Sequence, residues 1–250
     1  MTTRREILKM TSLATGGVIL GNAAKATGQI GQSEKKLKIF VAGAHPDDPE
    51  TGMGGTILKY KKLGHEVVVL YFTRGEAGIE GVSHDEAARI RTAEAEAAEK
   101  IMGTRSIFFG QIDGSTEITA EWYDKMQQII ADEKPDILFT QWPIDSHRDH
   151  RICGNLVYDA WLYSFSHLPL YYYEVCTGVQ SQNFSPTDFV NISEVVKQKW
   201  AACFVHESQK IEEEYPKEHA KMELFRGIES HAEYAEAFVH HWVSPKGFLP

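Results

Sequence analysis

The chain is poor in the features that mark several large classes of protein. Its 250 residues include only 3 cysteines, whose odd number and wide spacing do not match a disulfide framework. It has no apolar run of the about 20 residues that a membrane-spanning helix needs. Its net charge is −9, whereas nucleic-acid binding requires clustered Lys and Arg. These absences argue against a disulfide-stapled scaffold, a membrane-spanning protein and a nucleic-acid-binding protein.

Linkers between domains are also missing. No stretch rich in Pro, Gly or Ser, no charge block and no repeat interrupts residues 37–242. The hydrophobic content of 42% is enough to bury a sizeable core. Since a domain usually has roughly 100–200 residues, we predict a single domain over residues 37–242.

The first 26 residues have the layout of a removable export signal. The pair Arg4-Arg5 lies in a positively charged start, residues 12–21 are mildly apolar, and residues 24–26 (Ala-Lys-Ala) resemble a small-x-small cleavage site. The arginine pair is typical of the twin-arginine route. We therefore predict a cleaved export signal over residues 1–26 and a periplasmic location. The alternative interpretation is an ordinary N-terminal helix.

Strand and helix patterns alternate along the rest of the chain. Short apolar runs that predict buried strands are separated by helical patterns of about 10–15 residues, which is typical of a mostly parallel, doubly wound α/β sheet with helices on both faces. Ligands bind such folds outside the carboxyl ends of the strands. The predicted strands are 37–43, 66–72, 106–109, 136–140, 170–175 and 189–192.

Two polar segments follow the first and fourth predicted strands. If these strands are parallel and central, their carboxyl ends meet at one edge of the sheet, and both segments face one cleft. A catalytic zinc site usually has three protein ligands from His, Asp or Glu and an open position for water. The segments supply His45, Asp47 and Asp48 on one side, and His147, Asp149 and His150 on the other.

Spacing suggests separate roles within this set. His45, Asp48 and His150 make a set of two histidines and one aspartate for a metal. Asp47 is left unligated, because adjacent residues rarely aim at the same atom, and it is the natural base beside the metal.

His147 lies one helical turn before His150. Asp149 is close enough in sequence to hold one nitrogen of His147 and to favour its charged form as an oxyanion donor. The competing interpretation is helix caps and a solvated charge cluster. Two polar clusters at two strand ends argue against it.

These motifs resemble those of a known family. Residues 44–48 (AHPDD) and 147–150 (HRDH) are similar to the AHPDD and HxDH motifs of the PIG-L/LmbE family of zinc-dependent N-acetylglucosaminyl deacetylases. Residues 73–76 (TRGE) and 206–209 (HESQ) also fit the pattern of that family. One departure concerns Glu50, because many members have Glu directly after the second Asp, whereas Pro49 intervenes here.

The resemblance implies a Rossmann-like three-layer fold and removal of an acetyl group from an N-acetylglucosamine-type sugar or oligosaccharide. It implies zinc as the cofactor, although Fe(II) and Co(II) tolerate similar ligands. It also implies a role for each candidate residue: His45, Asp48 and His150 as metal ligands, Asp47 as general base, His147 with Asp149 on the oxyanion side, and Arg74 facing the substrate.

Two other functions remain open from the sequence. The first is a two-metal hydrolase of the phosphoesterase type, for which Asp145 is the only obvious additional acid. The second is a non-catalytic carbohydrate- or zinc-binding protein on the same fold. Asp113, which follows the third predicted strand, is a possible substrate contact without an evident partner. The sequence does not indicate the oligomeric state.

Overall fold

A computed structural model describes residues 35–250, so the predicted export signal over residues 1–26 lies outside the described residues and stays a prediction. A π-helical segment covers Trp161–Phe165, and short 3-10 turns cover Glu207–Gln209 and Tyr215–Lys217. The described elements are β1 (Lys38–Gly43), α1 (Asp48–Lys62), β2 (Glu66–Tyr71), α2 (His84–Met102), β3 (Arg105–Phe108), α3 (Ala120–Glu133), β4 (Ile137–Gln141), α4 (Arg148–Ala160), β5 (Leu170–Tyr173), β6 (Asp188–Asn191), α5 (Val196–Phe204), α6 (Ile211–Glu214), α7 (His219–Ser230) and β7 (Ala235–His240).

The strands form one seven-stranded sheet in the order β3-β2-β1-β4-β5-β7-β6. The five strands from β3 to β5 are parallel, whereas β7 runs antiparallel to both of its neighbours. The mostly parallel α/β sheet expected from the sequence is confirmed. The sequence did not predict β7, because Glu236, its second residue, looks like a surface residue although it is only 3% exposed.

Alternation of side chains along each strand produces two cores and therefore three layers. On β1, Ile39 and Val41 face the core that is covered by α1, α2 and α5. Phe40 and Ala42 face the opposite core, which is covered by α3 and α4. Burial on both faces explains why the parallel strands are continuously apolar instead of alternating.

The strand order places two loops side by side. β1 pairs with β2 on one side and with β4 on the other. The chain adds β2 and β3 on one side of β1 and then crosses to the other side to add β4. Such a switch point leaves a crevice between the loops that follow the two strands. α4 packs directly against β4, because a Cβ added to Gly154 would lie 2.6 Å from the carbonyl oxygen of Gln141. Within residues 35–250, the helices are too short or too polar to cross a membrane.

Candidate metal centre

The loops after β1 and β4 bring two histidines and one aspartate together. His45 Nδ1 lies 3.2 Å from Asp48 Oδ2, and His150 Nε2 lies 3.3 Å from Asp48 Oδ1. All three residues are buried. Ligand atoms held about 2.0–2.1 Å from a tetrahedral ion are roughly 3.3–3.4 Å apart. Each of these two contacts is close to that spacing, and two imidazoles with a carboxylate are donor types that a divalent metal ion takes.

A second arrangement of donors competes for the third ligand. The ring nitrogens of His45, His147 and His150 lie within 4.8 Å of one another, as do ligand atoms of His45, Asp113 and Asp149. Asp48 is favoured over His147, because its two oxygens contact both of the other ligands. A ligand set of His45, Asp48 and His150 stays a prediction.

The outer nitrogen of each buried histidine faces a carboxylate. His45 Nε2 lies 3.1 Å from Asp113 Oδ1 and 3.4 Å from Asp149 Oδ2. His150 Nδ1 lies 3.3 Å from Asp145 Oδ1. Metal-binding histidines usually donate their second N–H to a carboxylate or carbonyl, which sets the tautomer and the ring orientation. Both rings therefore have a carboxylate beside their second nitrogen. The His45 contacts have hydrogen-bonding geometry, whereas His150 Nδ1 forms no hydrogen bond with Asp145.

Asp47 lies beside this cluster but points to another partner. Its backbone has φ 119°, an uncommon value for a residue other than glycine. Its Oδ2 accepts a hydrogen bond of 2.7 Å from Arg91 Nη2. Burial raises the pKa of Asp47 to about 6, because the loss of water and the charge of Asp48 outweigh the guanidinium. A role for Asp47 as general base stays a prediction.

The expected pairing between Asp149 and His147 is wrong. The Asp149 carboxylate accepts hydrogen bonds from Thr116 Oγ1 at 2.6 Å and from the Gly114 amide at 2.7 Å. His147 caps α4 instead, and its Nδ1 accepts the Asp149 backbone N–H at 3.3 Å. Burial and the neighbouring His45 and His150 lower the pKa of His147. The structure therefore favours a neutral imidazole here, not the charged form expected from the sequence.

Arg74 is not brought into the cluster. Its side chain is exposed and lies over the ring of Phe108, with 5.1 Å from Cζ to the ring centroid. The guanidinium beside Asp47 belongs to Arg91 on α2, which sequence reasoning missed. Its position in the sequence could have indicated this role, since Arg91 shares the buried face of α2 with Ala87 and Ala95 at four-residue intervals. An arginine on an otherwise small, apolar helix face indicates a specific buried partner.

Exchanging the two arginines for methionine separates the two assignments. For the acetate release that the sequence resemblance implies, we expect Arg91→Met to lower kcat at least tenfold, because a hydrogen bond to a charged group contributes about 1.5–3 kcal/mol. Arg74→Met should change kcat by less than about twofold, since exposed side chains contribute little. Steady-state kinetics and metal content of both variants provide the measurement. A larger loss in Arg74→Met would support the assignment from the sequence.

Glu50 lies behind the cluster, outside the cavity. It is fully buried and its Oε1 accepts a hydrogen bond from the hydroxyl of Tyr71. His206 Nε2 lies 3.8 Å from the same oxygen. Glu50 therefore lies in the buried first turn of α1, where it faces Tyr71 and His206 and not the cavity.

The cluster lies at the base of a cavity of about 500 Å³. One wall comes from α2 and the loops after β2 and β3, including Arg91 and Asp113. The other wall comes from residues 175–180 and from the segment between the 3-10 turn after α5 and the start of α7. A cavity of this size is in the range of small-molecule sites. The lining residues that carry polar groups are His45, Asp47, Asp48, Thr51, Arg91, Asp113, His147, His150, Gln180, Gln209, Glu214, Tyr215, Glu218 and His219.

Fold and site together define a Rossmann-like α/β protein with a His–Asp cluster in a cavity at the switch point. The family described as PIG-L, GlcNAc-PI de-N-acetylase, matches residues 40–161, the span from β1 to the start of the π-helical segment. The diacetylchitobiose deacetylase of Thermococcus kodakarensis is 34% identical over 189 residues, which cover 69% of this chain and 70% of that relative. The chain belongs to the PIG-L family of deacetylases.

Solved structures agree with this assignment. N,N'-diacetylchitobiose deacetylase from Pyrococcus horikoshii, complexed with its inhibitor MPG, has a TM-score of 0.74 and 26% identity, covering 83% of this chain and 84% of that chain. GalB from Pseudomonas putida, a 4-carboxy-2-hydroxymuconate hydratase, also has a TM-score of 0.74, with 20% identity and 86% and 100% coverage. The latter likeness shows the fold alone.

Proposed function

We propose that this protein is a metal-dependent hydrolase that removes the acetyl group from an N-acetylglucosamine-type sugar or oligosaccharide. The observation that carries the proposal is the placement of Asp47 beside the His45–Asp48–His150 cluster in one cavity. Similarity to the diacetylchitobiose deacetylase of Thermococcus kodakarensis supports the substrate class. Zinc is the metal that we propose, because two imidazoles and one carboxylate form a common catalytic zinc set.

The residues of the cavity divide the chemistry between them. A bound metal ion would polarise the amide carbonyl and lower the pKa of a water molecule. The Asp47 carboxylate takes the proton of the attacking water, while Arg91 holds its Oδ2 in place through a 2.7 Å hydrogen bond. The water oxygen forms a bond to the acetyl carbon. The C–N bond then breaks as Asp47 passes the proton to the amine nitrogen, giving acetate and an amino sugar.

His147 is suited to stabilise the oxyanion as a neutral donor. Its Nδ1 accepts the backbone N–H of Asp149, so the ring proton belongs on Nε2. A neutral Nε2–H can donate to negative charge on the acetyl oxygen without a carboxylate partner. This revises the charged His147 that the sequence suggested.

The two alternative functions have weaker support. A two-metal hydrolase holds its ions about 3.5–4 Å apart, usually through a bridging carboxylate, whereas the residue shared by the two candidate groups among the described residues is the imidazole of His45. A non-catalytic binding protein has no need for Asp47 held by Arg91 at a raised pKa. We therefore favour the deacetylase.

Acetate release from a panel of N-acetylated sugars tests the proposal. We expect release from N-acetylglucosamine or diacetylchitobiose, loss of activity after chelation, and recovery on addition of Zn²⁺ or Co²⁺. Metal analysis should give one equivalent per chain. Activity that survives complete metal removal would contradict the proposal. Two equivalents of metal with phosphate-ester hydrolysis would favour the two-metal alternative.

A further inference from the structure

Asp145 connects the candidate metal centre to the wall of the cavity. It lies between β4 and α4 and is 5% exposed. Its Oδ1 is 3.3 Å from His150 Nδ1 and accepts the His147 amide at 2.8 Å. Its Oδ2 accepts a hydrogen bond of 3.0 Å from Ser181 Oγ. One buried carboxylate therefore contacts a candidate ligand and a residue from another part of the chain.

Ser181 belongs to the rim segment, which we define as residues 174–182. Its hydroxyl also accepts the Val175 amide at 2.9 Å, so the serine closes this segment on itself. Backbone hydrogen bonds join the rim segment to the loop of Asp145, from Gln182 N to Ile144 O at 2.9 Å and from Ser146 N to Gln180 O at 3.0 Å. Three of its residues, Val175, Val179 and Gln180, line the cavity.

We propose that Asp145 is a positioning residue that sets the metal affinity of the centre and couples the metal to the rim segment. The inference rests on the proposed function, in which His150 is a metal ligand. A carboxylate on the outer nitrogen of a ligating histidine fixes the tautomer that presents the inner nitrogen, and raises the basicity of the ring. The same carboxylate orients Ser181. The His150 ring and the rim segment are therefore both held by the Asp145 side chain.

A simpler role for Asp145 is to form the turn before α4, through its hydrogen bond to the amide of His147. The substitution Asp145→Asn separates the two roles. Asparagine can still accept this N–H and can donate to Ser181 Oγ, so the turn and the rim contact are retained. The negative charge that faces His150 Nδ1 is lost. A role limited to the turn predicts wild-type metal affinity for this variant.

The experiment measures Zn²⁺ affinity by competition with a chromogenic chelator, on the full chain. We expect Asp145→Asn to weaken Zn²⁺ binding by about 10–100-fold, the usual effect of removing an outer partner of a ligand. The visible spectrum of the Co²⁺-loaded variant should change, because His150 becomes a weaker donor when the charge that faces its ring is lost. Asp136→Asn is the matched control, since Asp136 also accepts a backbone amide but lies at the opposite end of β4.

Hydrogen exchange tests the coupling to the rim segment. In the wild type, Zn²⁺ should slow exchange of the amides of residues 174–182. Ser181→Ala should reduce this protection. Its Zn²⁺ affinity should stay within about threefold of wild type, because the Asp145 carboxylate still faces His150. The inference is overturned if Asp145→Asn binds Zn²⁺ like wild type, or if Zn²⁺ leaves the rim segment unprotected. Acetate release by the same preparations tests the deacetylase function separately, because the affinity and exchange results do not depend on the substrate.

Discussion

Replacement of Asp47 by asparagine should lower acetate release by about 10²–10⁴-fold, the usual contribution of a general acid–base group, without loss of metal. The amide oxygen of asparagine can still accept the hydrogen bond from Arg91, so the side chain keeps its place. It can no longer take a proton from water or return one to the amine. Rates of acetate release and metal content per chain, measured on the same preparation, are the readouts.

Asp124→Asn is the control for this substitution, because Asp124 lies exposed on α3, away from the cavity. It should behave like wild type in both measurements. If Asp47→Asn loses its metal together with its activity, Asp47 is a ligand and the proposed division between Asp47 and Asp48 is wrong. Near-normal turnover in Asp47→Asn would move the role of base to another group.

Removal of a metal ligand should have the largest effect on metal binding. We expect Asp48→Ala and His150→Ala to lose metal and activity together. Their metal affinity should fall by more than the about 10–100-fold that is usual when a residue that hydrogen-bonds to a ligand is removed. His147→Ala should retain the metal and lose about 10²–10³-fold in kcat, as expected for an oxyanion donor. Metal analysis after dialysis against a weak chelator gives the readout.

This comparison decides between the two donor sets of the cavity. The nitrogens of His45, His147 and His150 are close enough to form a ligand group without Asp48. If His147→Ala loses the metal while Asp48→Ala retains it, the third ligand is His147. The proposed oxyanion role of His147 would then be untenable, and Asp48 would become a neighbour of the metal instead of a ligand.

Local sequence predicted the fold and the two loops of the site well. Continuous apolar strands are a local signal of a buried parallel sheet, and the structure has such a sheet. β7 was missed because the burial of Glu236 depends on distant partners. Its carboxylate accepts the amides of Gly55 and Thr56 and lies 2.7 Å from Lys199 Nζ.

The partners of the site residues were harder to predict than the residues themselves. Sequence distance suggested that Asp149 would hold His147, two positions away. Helix geometry instead turns this carboxylate toward Gly114 and Thr116 of the loop after β3 and toward His45. Likewise Arg74 belongs to a recognisable motif, but the arginine that reaches Asp47 comes from the buried face of α2.

The sequence by itself determined the class of this protein, because hydrophobic periodicity and the AHPDD and HRDH motifs are carried by residues close together in the chain. It could not determine which carboxylate faces which histidine, or which arginine holds Asp47. Those pairings join groups from different strands and helices, and they depend on strand order and helix packing. Only the tertiary structure decided that Asp113 and Asp149 face His45, that Asp145 faces His150, and that Arg91 faces Asp47.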